Sequence, residues 1–163
     1  MCGRRRCRIE ASIRGRIAIG FLVTLLATWL AWPGGGAAAD AVVTGVWLTQ
    51  DDQAQVRISD CGDKLCGTIV ALRDPLAPDG QPKTDTRNRD ASLHSRPIVG
   101  LQILRDFIRL DGKRWGDGTI YNPEDGDTYR CTITLDNPVT LIVRGYVGIP
   151  LFGKTQIWHR VTE

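Results

Sequence analysis

The sequence predicts an all-β protein, a small antiparallel β-barrel of about eight strands. Three observations predict it. Short apolar segments recur with an alternation of period two. Clusters of Gly, Asn, Asp and Pro separate them at the spacing of tight turns. The first segment carries Gly45-Val46-Trp47 and the last ends Trp158-His159-Arg160. In a closed barrel the first and last strands are neighbours, and closure removes the exposed edges of an open meander.

The segments follow in order. Residues 44–49 form the first strand and 55–60 the second, with Val56 and Ile58 alternating against Arg57 and Ser59. Residues 67–72 are the third. The stretch 73–95, rich in Pro, Asp and Asn, reads as a long loop. The apolar residues of 98–110 (Leu101, Ile103, Leu104, Phe107, Ile108) fit strand and short helix alike, and strand is the adopted reading. Asp111-Gly112 turns the chain into a strand over 115–121, and 122–126 turns it again. In 128–135, Tyr129, Cys131, Ile133 and Leu135 alternate against Arg130, Thr132 and Thr134. Strands over 139–147 and 154–161 complete the set.

Ahead of the strands stands a leader. Six arginines precede an apolar run over 17–32, which ends at Pro33-Gly34-Gly35-Gly36. Ala37-Ala38-Ala39 and Ala39-Asp40-Ala41 offer small-residue cleavage sites. The run is shorter than the ~20 residues that cross a bilayer. The reading is a signal peptide over 1–39, cleaved near 39–41, with a single domain over 40–163 and no membrane span after cleavage. The expected location is periplasmic or secreted.

The whole chain has 21 basic and 18 acidic residues. Without the leader these become 15 and 17, a net charge of −2. That argues against a nucleic-acid binder, which normally shows a basic face. Cys61 and Cys66 bracket a four-residue polar turn, where flanking strands would set them opposite each other. A disulfide is expected between them in an oxidising compartment. The rival reading, half a zinc site, lacks a second cysteine pair. Cys131 reads as a small buried residue.

Several stretches together resemble one bacterial family. They include Gly45-Val46-Trp47, Cys61 through Gly67, Lys83 through Asp90, Arg96 through Leu101, Gly118 through Gly126, Arg144 through Gly148 and Gly153 through Arg160. The chain is similar to the family known as domain of unknown function 2147, across nearly all of its mature length. That resemblance implies an exported protein with a lipocalin-like barrel and no established activity. In lipocalin-type barrels a Gly-x-Trp on the first strand lies at the closed end, under a basic residue of the last. Trp47 and Arg160 take those places here, a cation–π pair of about 1 kcal/mol.

Candidate ligand-binding residues are Arg96, Trp115, Tyr121, Arg144 and Tyr146. An Arg in a loop over the barrel mouth presents a bidentate fork to a carboxylate, and aromatic rings on strands line or fill the interior. An internal ion pair of Arg96 with Asp85 or Asp90 is the competing reading. Asp85, Asn88 and Asp90 lie in the long loop as capping residues or oxygen ligands. Capping is preferred, because their order matches no calcium loop. No cofactor and no metal is expected. Nor does any nucleophilic elbow, triad or phosphate-cradling loop occur, so the reading leans away from an enzyme. The leading function is binding of a small, partly apolar or acidic ligand in the barrel. An envelope protein-interaction module with a filled barrel is the alternative, and an unrecognised hydrolase ranks third.

Overall fold

The computed structural model describes residues 42–162, so the leader assigned to 1–39 and the cleavage sites near 39–41 lie outside the described residues. Eight strands form one closed antiparallel barrel. They are β1 (Gly45–Leu48), β2 (Ala54–Cys61), β3 (Lys64–Leu72), β4 (Gln102–Arg109), β5 (Arg114–Asn122), β6 (Asp127–Asn137), β7 (Thr140–Tyr146) and β8 (Gly153–Arg160). Each strand pairs with the next, and β8 returns to β1 through Trp47↔Arg160 and Leu48↔His159. Among the described residues no helix is long and apolar enough to cross a membrane.

The connections alternate between the two ends of the barrel. Those at 62–63, 110–113 and 138–139 crowd one end, together with the start of the barrel at Val43. Those at 49–53, 73–101, 123–126 and 147–152 gather at the other end, and 73–101 is by far the longest. One end is therefore stoppered by side chains, and the other is ringed by loops.

At the stoppered end Trp47 is fully buried and its indole Nε1 donates to Val43 O at 2.9 Å. The Arg160 guanidinium lies 4.2 Å from the Trp47 ring centroid. It donates to the carbonyls of Thr44 (2.9 Å), Pro138 (2.7 Å) and Val42. The segment leading into β1 and the turn between β6 and β7 are thus tied to one cation on β8. Burial lowers the Arg160 pKa from its ordinary value. Gly45 explains itself here: its φ is +131°, and a Cβ would collide with the Arg160 guanidinium.

The ambiguous segment 98–110 resolves into loop and strand. Residues 98–101 close the long loop, where Gly100 N donates to Ile69 O and Ile69 N to Leu101 O. The helix-like spacing of Leu104 and Phe107, both fully buried, has a local cause. Asp106 adopts φ 63°, and Asp117 on the facing strand adopts φ 56°. This irregularity interrupts the alternation of β4. The Phe107 ring then crosses the interior over Gly118, where a Cβ would sit 2.5 Å from ring atoms.

Cys61 and Cys66 form a disulfide, with Cα atoms 5.8 Å apart. They are not directly opposite, as the hairpin reading expects. Cys61 pairs with Lys64 and Cys66 with Ser59, so the bond runs diagonally across the ladder. The turn is two residues shorter than the four polar residues suggest, because Lys64 and Leu65 already belong to β3. Cys131 is unpaired and fully buried, and burial pushes its thiol pKa up to about 12. A thiol held protonated in this way is a core residue and a poor nucleophile.

Candidate functional site

The interior divides into two halves. Near the stoppered end Trp47, Val56, Ile58, Leu65, Leu104, Phe107, Ile133 and Leu141 pack into a continuous core. Toward the loop end lies a cavity of about 940 Å³. Ile69, Ile103, Ile120, Val143 and Trp158 form its apolar floor, and Ala54, Leu72 and Gly145 contribute to its wall. An eight-stranded barrel has room for side chains or for one small ligand; here each use occupies one half.

The inward residues of this half include short ones beside Trp158. Gly145 is one of them, and a Cβ there would approach Ile120 Cγ2 at 3.4 Å. Polar groups collect higher up. On β8, residues Lys154, Gln156 and Trp158 succeed one another from rim to floor on the same face. Gln156 Oε1 accepts from Trp158 Nε1 at 2.8 Å, which fixes the indole. Lys83, from the long loop, also lines the mouth. Among the described residues neither Lys83 nor Lys154 makes a salt bridge.

Beside the cavity a polar cluster holds the long loop. Asp85 is fully buried. Its carboxylate accepts from Tyr121 Oη at 2.6 Å, Asn88 Nδ2 at 2.9 Å, and Arg96 Nε and NH2 at 3.0 and 2.6 Å. Asn88 Nδ2 also donates to Tyr121 Oη at 2.9 Å, and the Arg96 guanidinium stands 5.5 Å from the Tyr121 ring centroid. Burial by itself raises the Asp85 pKa, but the bonds from Tyr121, Asn88 and Arg96 outweigh it and leave the pKa below its ordinary value. The Tyr121 pKa is raised, first by burial and then by Asp85.

The structure thus distributes the candidate residues. Tyr121 and Tyr146 line the cavity. Arg96 is spent on Asp85, the ion-pair reading and not the ligand fork. Asp85 does not cap the loop backbone as expected: its carboxylate accepts from the side chains of Asn88, Arg96 and Tyr121 and from no backbone N–H. Asp90 does cap, its Oδ1 accepting from Ser92 N at 3.0 Å. Asn88 bridges Asp85 and Tyr121. Trp115 is buried outside the cavity lining, with the Arg109 guanidinium 5.5 Å from its ring. Arg144 also lies outside that lining and binds Thr155 Oγ1 and the Pro150 carbonyl. Sequence reasoning missed Lys83, Lys154 and Gln156. The signal was the period-two set Lys154, Gln156, Trp158, once Trp158 is known to face inward. Among the described residues no group of three or more His, Cys, Asp or Glu stands close enough to hold a metal ion.

A closed meander of eight strands, stoppered by an Arg-on-Trp pair and hollow at the far end, is a lipocalin-like barrel. The chain belongs to the DUF2147 family, described as an uncharacterized protein conserved in bacteria, whose profile matches residues 45–160. Among solved structures it is similar to protein HP1028 from Helicobacter pylori, described as belonging to the lipocalin family. The two share 22% identity with a TM-score of 0.66, over 76% of this chain and 85% of that one. At that identity the likeness concerns the fold. No curated protein sequence matches the chain.

Proposed function

We propose that the barrel holds a small amphipathic molecule, its apolar part on the floor of Ile69, Ile103, Ile120 and Val143 and its acidic head between Lys83 and Lys154. The observation that carries this reading is the cavity of about 940 Å³ with an apolar floor and polar rim. That volume lies within the range of small-molecule sites, where apolar burial drives affinity and a few polar groups orient the ligand. Two unpaired ammonium groups at the rim supply the orienting charge. Work outside the cytoplasm belongs to the same proposal; the basic and apolar leader and the disulfide Cys61–Cys66 support it.

Titration with cis-parinaric acid, a fluorescent carboxylate with an apolar tail, tests the site. Wild type is expected to give a saturable rise in fluorescence. Ile120→Trp, which fills the cavity, is expected to abolish it. Lys83→Gln with Lys154→Gln is expected to weaken the acid at least tenfold. Equal binding by the Ile120→Trp variant would refute the reading.

A further inference from the structure

Strand β1 stops early and leaves part of β8 without a neighbour. After Leu48 the chain reads Thr49-Gln50-Asp51-Asp52, and Asp51 and Asp52 adopt φ 62° and 55°. Two left-handed residues in succession end an extended strand. Thr49 folds back on Ala54 instead: Thr49 N donates to Ala54 O at 2.9 Å, and Ala54 N to Thr49 Oγ1 at 3.0 Å. β1 therefore pairs with β8 only at Trp47↔Arg160 and Leu48↔His159, while β8 reaches back to Gly153. We infer that the free edge of β8 over residues 153–157 docks an extended peptide segment of another protein, which adds to the sheet where β1 leaves off. The inference goes beyond the small-ligand reading and does not depend on it.

The last residues of the strand fix where its backbone groups point. Arg160 N donates to Val139 O, on the β7 side, and Val161 N donates to Val46 O, on the β1 side. Alternation then turns the N–H and C=O groups of Ile157, Thr155 and Gly153 toward the β1 side. Ile157 N has a substitute partner, donating to Gln50 Oε1 at 3.3 Å. Among the described residues Thr155 N and Gly153 N have no partner there. Lys154 and Thr155 are exposed, and Ile157 is 47% exposed, so the edge is open to another chain.

The bonding pattern selects the occupant. A row of donors and acceptors at every second residue is matched by an extended backbone, which supplies both at the same period. A segment that continues the direction of β1 runs antiparallel to β8. Its side chains opposite Gln156 and Lys154 face the lumen, since both of these residues line the cavity. Its side chains opposite Thr155 and Gly153 face outward. Among the described residues Lys154 makes no salt bridge, so an acidic side chain opposite it is favoured. Asp51 and Asp52 belong to the connection that meets β8 at Ile157, about 10 Å along the strand from Lys154. The same lysine disfavours a second copy. Two β8 edges paired antiparallel about Thr155 would set the Lys154 of each copy on one face as diagonal neighbours, and like charges there repel.

Nuclear magnetic resonance titration of the isotope-labelled protein with the blocked pentapeptide acetyl-Thr-Leu-Val-Glu-Thr-amide tests the inference. Laid antiparallel to β8, this probe sets its Val opposite Thr155 and its Glu opposite Lys154. The amide signals of Thr155 and Gly153 are expected to shift saturably, and their hydrogen exchange to slow at least tenfold. N-methylation of the probe's Val, whose N–H faces β8, is expected to weaken binding at least tenfold. N-methylation of its Glu, whose N–H faces away, is expected to leave binding within twofold. Thr155→Pro removes an edge donor and no β7 ladder bond, a place where a strand accepts Pro, and is expected to lose the peptide. The methylated pair reads the same bond on the unaltered protein. Thr155 and Gly153 amides that do not move in a folded barrel would overturn the inference. So would equal effects of the two methylations, because the probe would then be held by its side chains elsewhere. A dimer in sedimentation velocity that Thr155→Pro dissolves would overturn it too, the edge being taken by a second copy. Peptide binding together with failure to bind cis-parinaric acid would refute the cavity reading alone and uphold the edge site.

Discussion

Asp85→Asn tests the cluster that fixes the long loop. The substitution keeps shape and removes charge. Asp85 is fully buried and takes four donor contacts from three side chains. In the variant an amide NH2 replaces one carboxylate oxygen, so it faces Arg96 or Tyr121, both of which donate to this carboxylate. Breaking a buried ion pair costs ~3–5 kcal/mol. The Arg96 side chain keeps 29% of its exposure, so water replaces part of what it loses. The expected cost is therefore at the low end, about 3 kcal/mol. For a barrel of this size that is a fall in Tm of about 10 °C. Thermal unfolding followed by circular dichroism at pH 7 reads it. A fall under about 2 °C would mean that the cluster contributes less than a kcal/mol, and the argument from burial would fail.

The same group gives a pH dependence with a definite sign. The folded Asp85 pKa lies below its ordinary value. A carboxylate depressed in the folded state contributes stability that is fully present above the unfolded pKa, about 3.9. The contribution disappears as pH falls through the lower folded pKa. Wild-type stability should therefore drop below about pH 4, and the Asp85→Asn variant should drop less over the same window. Some slope remains in the variant, because Asp90 and Asp111 are lowered as well.

The remaining predictions concern the stoppered end and the hairpin. Trp47→Ala should cost ~3–5 kcal/mol, the range for truncating a buried aromatic, and chemical denaturation measures it. Gly45→Ala should also destabilise, since the new methyl meets both a positive φ and the Arg160 guanidinium; an unchanged denaturation midpoint would refute that account of the Gly-x-Trp pattern. Replacing Cys61 and Cys66 by Ser should lower stability by about 2 kcal/mol, small because the closed loop is short. The mass of the wild-type barrel purified without reductant should rise by two hydrogen atoms on reduction, and a mass that does not change would contradict the bond.

The strands were legible because turn residues and period-two alternation are local properties. β6 shows this well: Cys131, Ile133 and Leu135 point inward as their spacing requires. β4 was less legible, since a break at Asp106 gives Leu104 and Phe107 a helical spacing. Pairing between Asp85 and Arg96 was open in the sequence, because an irregular loop has no period to say which charges meet. Lys154 was overlooked for a different reason. Alternation divides a strand into two faces without saying which is inside, and only the burial of Trp158 settles that for β8.

The barrel divides into a filled and a hollow half. Trp47, Phe107 and Trp115 stand in or beside the stoppered half, while Ala54, Gly145 and β-branched residues leave space around Trp158 in the other. A long loop above a void would ordinarily drop into it, since burying apolar surface is favourable. Here the loop is held to the wall. Asp85 binds it to Tyr121 on β5, Arg89 pairs with Asp127 at the start of β6, and the Arg87 carbonyl lies where a Cβ on Gly126 would be. Two side-chain contacts and one close backbone approach fasten the loop to the β5–β6 hairpin, while Ile98 and Leu101 anchor its end in the core. The mouth stays open because this long loop is fastened beside it.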